Sequence, residues 1–379
     1  MRILHITPNV DAKKGGSVSA IRNIISIERK MGFESTVLGI DLNGVRPTLF
    51  DNVDLMAFRP SFPKRFSRSK KANNWLRGNA NNYDLIQVHT IWGFLQIETP
   101  GILNKLGVPY VIWPHGSLDP FDLRKKRYLK KIIGPIIIRG VLERSAAVIC
   151  TARLEADSLE KYGAKCRTKV LPLSVNPSKG YGNREEFRNK YGISSNDFVL
   201  LFLSLICYKK GINLLIPAVK NIANKYSNIK LVIAGSDLNG YERQVKEWIK
   251  EYQVEDRVIM TGFLSGQDKI NAFAGSDCFV LPSMNENFGI AVVESLSNGL
   301  PVLISDNVYI WKKIIQSNGG WVCEYSYNSL MKQIMNILEN PKDILEKKNN
   351  ALKAAEQFYP DNLKNLYKNV YKDLLTNNG

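Results

Sequence analysis

The chain has 379 residues, 44% of them hydrophobic and 23% charged, with a formal net charge of +17. That length is about 2.5 times a typical domain and the composition is that of a globular protein, so two folded domains are expected and extensive disorder is excluded. Five scattered cysteines (Cys150, Cys166, Cys207, Cys278, Cys323) form no C-x-x-C pair, which excludes a zinc ribbon and a disulfide frame and fits buried thiols in a reducing compartment.

Short apolar runs alternate with helical patterns along the whole chain, the pattern of a parallel α/β protein. Strands are expected at 3–6, 36–40, 85–88, 110–113 and 147–150, then at 198–203, 230–234, 257–261, 278–281 and 301–304. The N-terminus, Met1-Arg-Ile-Leu-His-Ile-Thr-Pro, reads as a strand because no small-residue cleavage site follows an apolar core. The first strand runs into a Gly15-Gly16 turn. A helix with Val18, Ile21, Ile24 and Ile25 on one side follows and stops near Gly32. Such a turn before a helix N-terminus serves either as a phosphate or sugar seat or as a plain tight turn. No run reaches the roughly 18 apolar residues a spanning helix needs; the nearest, 132–142, is interrupted by Gly134, Pro135 and Arg139. Pro172, Pro177, Gly180 and Gly182 mark a junction, giving domains at 1–175 and 176–357. The final segment, from Phe358 on, reads as an amphipathic helix with a stripe of Leu363, Leu366, Tyr367, Val370 and Leu374, docked on the body of the protein.

The charge is unevenly placed. Residues 1–150 carry 23 basic and 11 acidic side chains, a net +12; the remainder carries 29 and 24, a net +5. A partner with a negative surface is therefore expected at the N-terminal half, with nucleic acid and anionic lipid as the two classes. Arg59, Lys64, Arg65, Arg68, Lys70, Lys71 and Arg77 lie in one stretch without an acidic residue, interleaved with Phe62, Phe66 and Trp75; Arg124 to Arg127, Lys130 and Lys131 form a second cluster.

The most informative stretch is Leu281-Pro-Ser-Met-Asn-Glu286-Asn-Phe-Gly289-Ile-Ala-Val-Val-Glu294-Ser-Leu-Ser-Asn-Gly299-Leu-Pro301-Val. A strand ends, a polar loop carries Glu286, and Gly289 opens a helix bearing Glu294. Carboxylates accept hydrogen bonds from vicinal hydroxyls, and a helix N-terminus between them favours an anion. Diol, anion and a second polyhydroxy group in one place describe a nucleotide sugar.

These residues resemble the E-x7-E motif of the family 4 retaining glycosyltransferases. Ser204-Leu-Ile-Cys-Tyr-Lys209-Lys210-Gly211 and Trp113-Pro-His115-Gly116-Ser-Leu-Asp119-Pro resemble further motifs of that family, and the likeness spans nearly the whole chain. It implies a GT-B fold: two Rossmann-like doubly wound domains facing a central cleft, the last helix crossing back to the N-terminal domain. It implies a cytoplasmic enzyme moving a sugar from a nucleoside diphosphate, UDP- or GDP-linked, to a glycan hydroxyl with retention, without a metal or other cofactor. Surface polysaccharide synthesis on a lipid-linked acceptor, at the inner face of the cell membrane, is the setting it implies, with the basic patches meeting anionic lipid and no nucleic acid bound.

By the same resemblance His115, Lys210 and Glu286 serve catalysis, Lys210 at the diphosphate. Glu294 would hold the ribose, the backbone of Asn287, Phe288 and Gly289 the sugar, and Gly262 and Phe263 the base, with Lys209, Gly15 and Gly16 completing the donor site. The chain departs from the family at Leu205, where an arginine is usual. No Asp-x-Asp occurs in the sequence. His5 reads as a hydrogen-bonded core residue, and His89 ends its strand within reach of the expected cleft. Two other classes compete: a sugar-nucleotide epimerase of similar fold, and a basic nucleic-acid or membrane-binding module without catalysis.

Overall fold

The computed structural model describes residues 1–10, 16–41, 53–62, 68–119, 134–178 and 180–376. The chain forms two units, Met1–Asn176 with Pro360–Gly379, and Pro177–Tyr359. Gly15, Lys64, Arg65, Phe66 and the 124–131 basic cluster lie outside the described residues.

The first unit is built on β1 (Arg2–Thr7), β2 (Glu34–Ile40), β3 (Asp54–Phe58), β4 (Leu85–His89), β5 (Tyr110–Trp113), β6 (Ala147–Cys150) and β7 (Thr168–Val170), in the order β3-β2-β1-β4-β5-β6-β7. Every pairing in it is parallel. Because alternate side chains point to opposite faces, Leu4, Ile6, Ile86, Val88, Ile112 and Val148 cover one face. They pack with residues of the helices Lys70–Asn79 and Phe94–Leu106 in one apolar core. Each such fully buried side chain contributes about 1.5–3 kcal/mol. The register sets His5 beside Gln87 and His89 beside Trp113, which aligns these four on the opposite face.

The second unit carries β8 (Phe198–Leu203), β9 (Ile229–Ala234), β10 (Val258–Gly262), β11 (Cys278–Leu281), β12 (Val302–Ser305) and β13 (Gly320–Cys323), ordered β10-β9-β8-β11-β12-β13. Its central strands are near-continuous apolar runs, buried on both faces. The first helix of this unit, Arg184–Lys190, is clamped to the sheet. Buried Arg188 donates to the carbonyls of Gly275 (2.9 Å), Ser194 (2.6 Å) and Asp197 (3.1 Å) and to the Asp277 carboxylate (2.8 Å), which Arg184 also reaches at 2.9 Å.

Two expectations are corrected. The sequence pattern predicts five strands in each half, but among the described residues the sheets have seven and six: β3, β7 and β13 are the additional ones. All three are sheet edges; β3 and β7 are half-exposed along their length, and an edge strand needs no continuous apolar run. In the last helix, Pro360–Thr376, the buried side is Pro360, Leu363, Tyr367, Tyr371 and Leu374. Leu366 is exposed and Val370 half-buried; Tyr371 takes their place because its hydroxyl has buried partners. Lys30 to Asp361 (2.8 Å) and Arg167 and Lys169 to Asp373 (2.6 and 2.7 Å) hold this helix to the first unit. Among the described residues no helix is long and apolar enough to cross a membrane.

Candidate functional site

Open α/β sheets bind ligands beyond the carboxyl ends of their strands, and in the second unit the loops after β8 and β11 meet there. The first closes in a single 3-10 turn, Tyr208–Lys210, and Gly211 leaves it at φ +77°. A Cβ at Gly211 would collide with the Pro282 carbonyl, so both conformation and space require glycine. The Lys209 carbonyl accepts hydrogen bonds from the Met284 N–H (2.8 Å) and the Ser283 hydroxyl (3.0 Å). This seam delivers buried Lys210 into an ion pair with Glu286. The Glu286 backbone is fixed from the other side, its N–H donating to the Asn307 carbonyl (3.0 Å) and its carbonyl accepting from the Tyr309 N–H (2.9 Å).

Gly289 follows at φ +76° and the helix Ile290–Ser297 begins. Val292, Val293 and Leu296 are its buried side. Glu294 stands off that side and pairs with Lys269 of the helix Gly266–Gly275 at 2.7 Å. Phe288 points into the core, edge-to-face with Phe358 at 5.5 Å, so within Asn287-Phe288-Gly289 this side chain is spent on packing. Gly262 ends β10 at φ +73°, and the Phe263 ring after it is exposed. Leu205 is half-buried in the loop between β8 and Lys210. Sequence reasoning misses Lys269, since nothing in its helix spacing sets it apart.

In the first unit all three histidines of the chain join in one line. His115 Nε2 lies 2.9 Å from His89 Nδ1, His89 Nε2 lies 3.0 Å from His5 Nδ1, and His5 Nε2 lies 2.8 Å from Glu28 Oε2. Strand register explains the order: His5 is on β1, His89 at the end of β4, and His115 two residues beyond β5, itself at φ +51°. Glu28 comes from the helix Gly16–Lys30 and is wholly buried. It also accepts from Ser35 (2.8 Å), Gln87 (2.8 Å) and Tyr371 (2.8 Å). Burial pushes His115 down to about 4 and, with the neighbouring histidines, holds His89 well below the ordinary value, so both rings are neutral near pH 7. The buried Glu155 carboxylate fastens the turn after His115, accepting from the N–H groups of Gly116 (2.6 Å) and Thr151 (2.7 Å). His5 is thus the hydrogen-bonded core residue expected, while His89 links it to His115.

The basic stretch 59–77, which holds no acid of its own, meets one in the fold. Arg68 pairs with Glu98 from the helix Phe94–Leu106 at 2.7 Å, an acid distant in sequence but adjacent in the fold. Trp75 packs between Phe58 and Tyr83, which takes it out of the surface pattern, whereas Phe62 is 94% exposed. Gly16 opens its helix, and a Cβ there would meet nothing within 4 Å, so crowding does not demand glycine at that position.

Residues 183–358 match the family model described as glycosyl transferases group 1, and residues 14–179 match glycosyltransferase family 4. The chain is a group 1 glycosyltransferase. It is 26% identical over 302 residues to the alpha-monoglucosyldiacylglycerol synthase of Streptococcus pneumoniae, covering 77% of this chain and 67% of that one. Over 263 residues it is 24% identical to the mannosylfructose-phosphate synthase of Agrobacterium fabrum, covering 62% and 56%. The chain thus spans about half to two thirds of the length of these curated relatives. Its fold, a GT-B pair of Rossmann-like domains, matches Anabaena Alr3699/HepE, solved in complex with UDP and glucose, at a TM-score of 0.82 and 18% identity, over 98% of this chain and 100% of that one. In this group 1 glycosyltransferase the paired carboxylates of the motif are both ion-paired to lysines, Glu286 to Lys210 and Glu294 to Lys269.

Proposed function

We propose that the protein transfers a hexose from a nucleoside diphosphate, UDP- or GDP-linked, to a hydroxyl of a lipid-linked glycan, with retention, in the assembly of a surface polysaccharide. One observation carries this reading: the seam between the loops after β8 and β11 sets the Lys210 ammonium against Glu286 immediately before the helix that bears Glu294. Opposite charges held in contact at the carboxyl end of a sheet suit a ligand that is itself part anion and part polyol.

In the proposed reaction the diphosphate replaces Glu286 as the main partner of Lys210, whose charge meets the negative charge that develops as the glycosidic bond breaks. Glu286, released from that pair, accepts hydrogen bonds from sugar hydroxyls. Glu294 exchanges Lys269 for the ribose diol, and exposed Phe263 offers an apolar face to the base. The departing phosphate oxygen takes the acceptor proton on the same face of the sugar, so the carboxylates bind and no protein nucleophile is used, unlike the pair in a retaining glycosidase. His115, neutral, offers its ring to a hydroxyl. Membrane association at the cytoplasmic face is supported by the excess of basic residues in 1–150 and by exposed Phe62 and Ile136, each near a basic segment in sequence.

The test is a thermal-shift series with UDP, GDP, ADP, TDP and CDP on the wild type and on Glu294→Ala. A diphosphate at 100 times its dissociation constant stabilises the native state by about 2.7 kcal/mol. One diphosphate that shifts the wild type and fails on the variant supports the donor site; five that shift neither at millimolar concentration defeat it. Retention is read from the anomeric configuration of the product by NMR, and the lipid partner from sedimentation with vesicles of graded anionic content.

A further inference from the structure

The line of three histidines ending on Glu28 has a direction, and the direction follows from counting protons. Each neutral imidazole has one N–H and one lone pair. With one proton on each of the three rings, three protons serve the three contacts between His115 and Glu28. Glu28 can only receive: the amide of Gln87, the hydroxyls of Ser35 and Tyr371 and the His5 ring all converge on its two oxygens. The Gln87 amide cannot turn round, because its oxygen accepts the Trp113 indole N–H at 2.7 Å. So His5 donates through Nε2 and accepts at Nδ1; His89 then donates through Nε2, and so does His115. The rings lie nearly coplanar, at 19° and 13°, and nitrogens 3.0 and 2.9 Å apart with ring centres 5.3 and 5.2 Å apart place them edge to edge, as such bonds need. Among the described residues, no hydrogen bond is made by the Nδ1 of His115.

We propose that His5 carries a single ring proton in this line, and that Glu28, His5 and His89 are thereby positioning residues that lock His115 as the Nε2–H tautomer, so that its Nδ1 lone pair faces the ligand and selects a hydroxyl donor there. The recognition half rests on the transferase reading above; the tautomer half does not. The site therefore takes a sugar hydroxyl at His115 and rejects a ligand that presents an acceptor, such as a phosphate oxygen, at that atom. The ring stays a hydrogen-bond acceptor and not a cation across neutral pH.

The arrangement predicts its own reversal. In Glu28→Gln the new amide oxygen must stay against the Gln87 amide, which puts the new NH2 against His5. His5 must then accept at Nε2 and donate through Nδ1, and the inversion passes through His89 to His115, turning its outward nitrogen into a donor.

Because the chain has only three histidines, selective 15N-histidine labelling gives three ring systems whose long-range 1H–15N correlations report each tautomer. The wild type should show all three rings protonated at Nε2, and Glu28→Gln all three at Nδ1. Tyr371→Phe, which removes a donor to Glu28 but keeps the carboxylate, should retain the wild-type pattern. In Glu28→Gln, kcat/KM with the sugar donor should fall at least tenfold while the thermal shift given by the matching sugar-free diphosphate is unchanged. A wild-type His115 protonated at Nδ1 overturns the proposal without any variant, as does a Glu28→Gln spectrum with His115 unaltered. A correct tautomer pattern with no diphosphate response in either protein sinks the transferase reading and leaves the lock standing.

Discussion

Acid should loosen the first unit in a defined window, and His115 sets part of it. Its imidazole titrates at about 4 in the folded protein, against about 6.5 in an unfolded chain. Between those values the unfolded state binds a proton that the native state refuses, so stability rises with pH there. The contribution is complete above pH 6.5 and is lost as pH falls toward 4; it amounts to roughly 3 kcal/mol, against a typical total of about 5–15. His89, lowered by burial and by His115 and His5, adds in the same direction. Urea unfolding at half-unit steps from pH 4.5 to 7.5, read by hydrogen exchange in peptides containing β4 and β5, isolates the first unit. His115→Asn should flatten the dependence by about 1 kcal/mol per pH unit below 6. Parallel curves for wild type and variant would refute the reasoning, because they would mean that His115 titrates alike folded and unfolded.

Three other outcomes follow from features of the second unit. Gly211→Ala places a side chain at φ +77° and against the Pro282 carbonyl, so the melting of residues 177–359 should drop by the equivalent of about 1–3 kcal/mol, measured by calorimetry. Arg188→Met strips a half-buried Asp277 of one cation and three carbonyls of their donor; the loss should reach about 3 kcal/mol in urea unfolding. Lys210→Met should lower kcat roughly 10²–10³-fold in a radiolabelled sugar-transfer assay, the cost of one lost group at a developing charge.

The central strands are legible in the sequence because a strand buried on both faces must be apolar throughout: 110–113, 147–150, 198–203 and 278–281 match β5, β6, β8 and β11 to the residue. Three of the four edges are not legible, β10 being the one read in advance at 257–261; Asp54–Phe58, for one, owes its place to one neighbour rather than to its own composition. Glu28 does carry a sign of its role. It falls three, four and seven residues after Ile25, Ile24 and Ile21, all buried, and a charge on the apolar stripe of a helix must have buried partners. Lys210 and Glu286 are each marked by motif, but their contact joins loops 76 residues apart, and no periodicity encodes that. Glu98 opposite Arg68 is hidden for the same reason.

The second unit is, in chain order, an insertion: residues 177–359 interrupt a domain that resumes at Pro360. On the ribosome the two units therefore mature in an order opposite to their start. Domains fold as units while synthesis proceeds, and the second has all its strands once Cys323 has emerged. The first must wait for Tyr367 and Tyr371, whose hydroxyls bind the Pro172 carbonyl and Glu28. Until that helix arrives, a finished parallel sheet carries an uncovered buried acid, and a nascent chain stalled before residue 360 would be the form most in need of a chaperone.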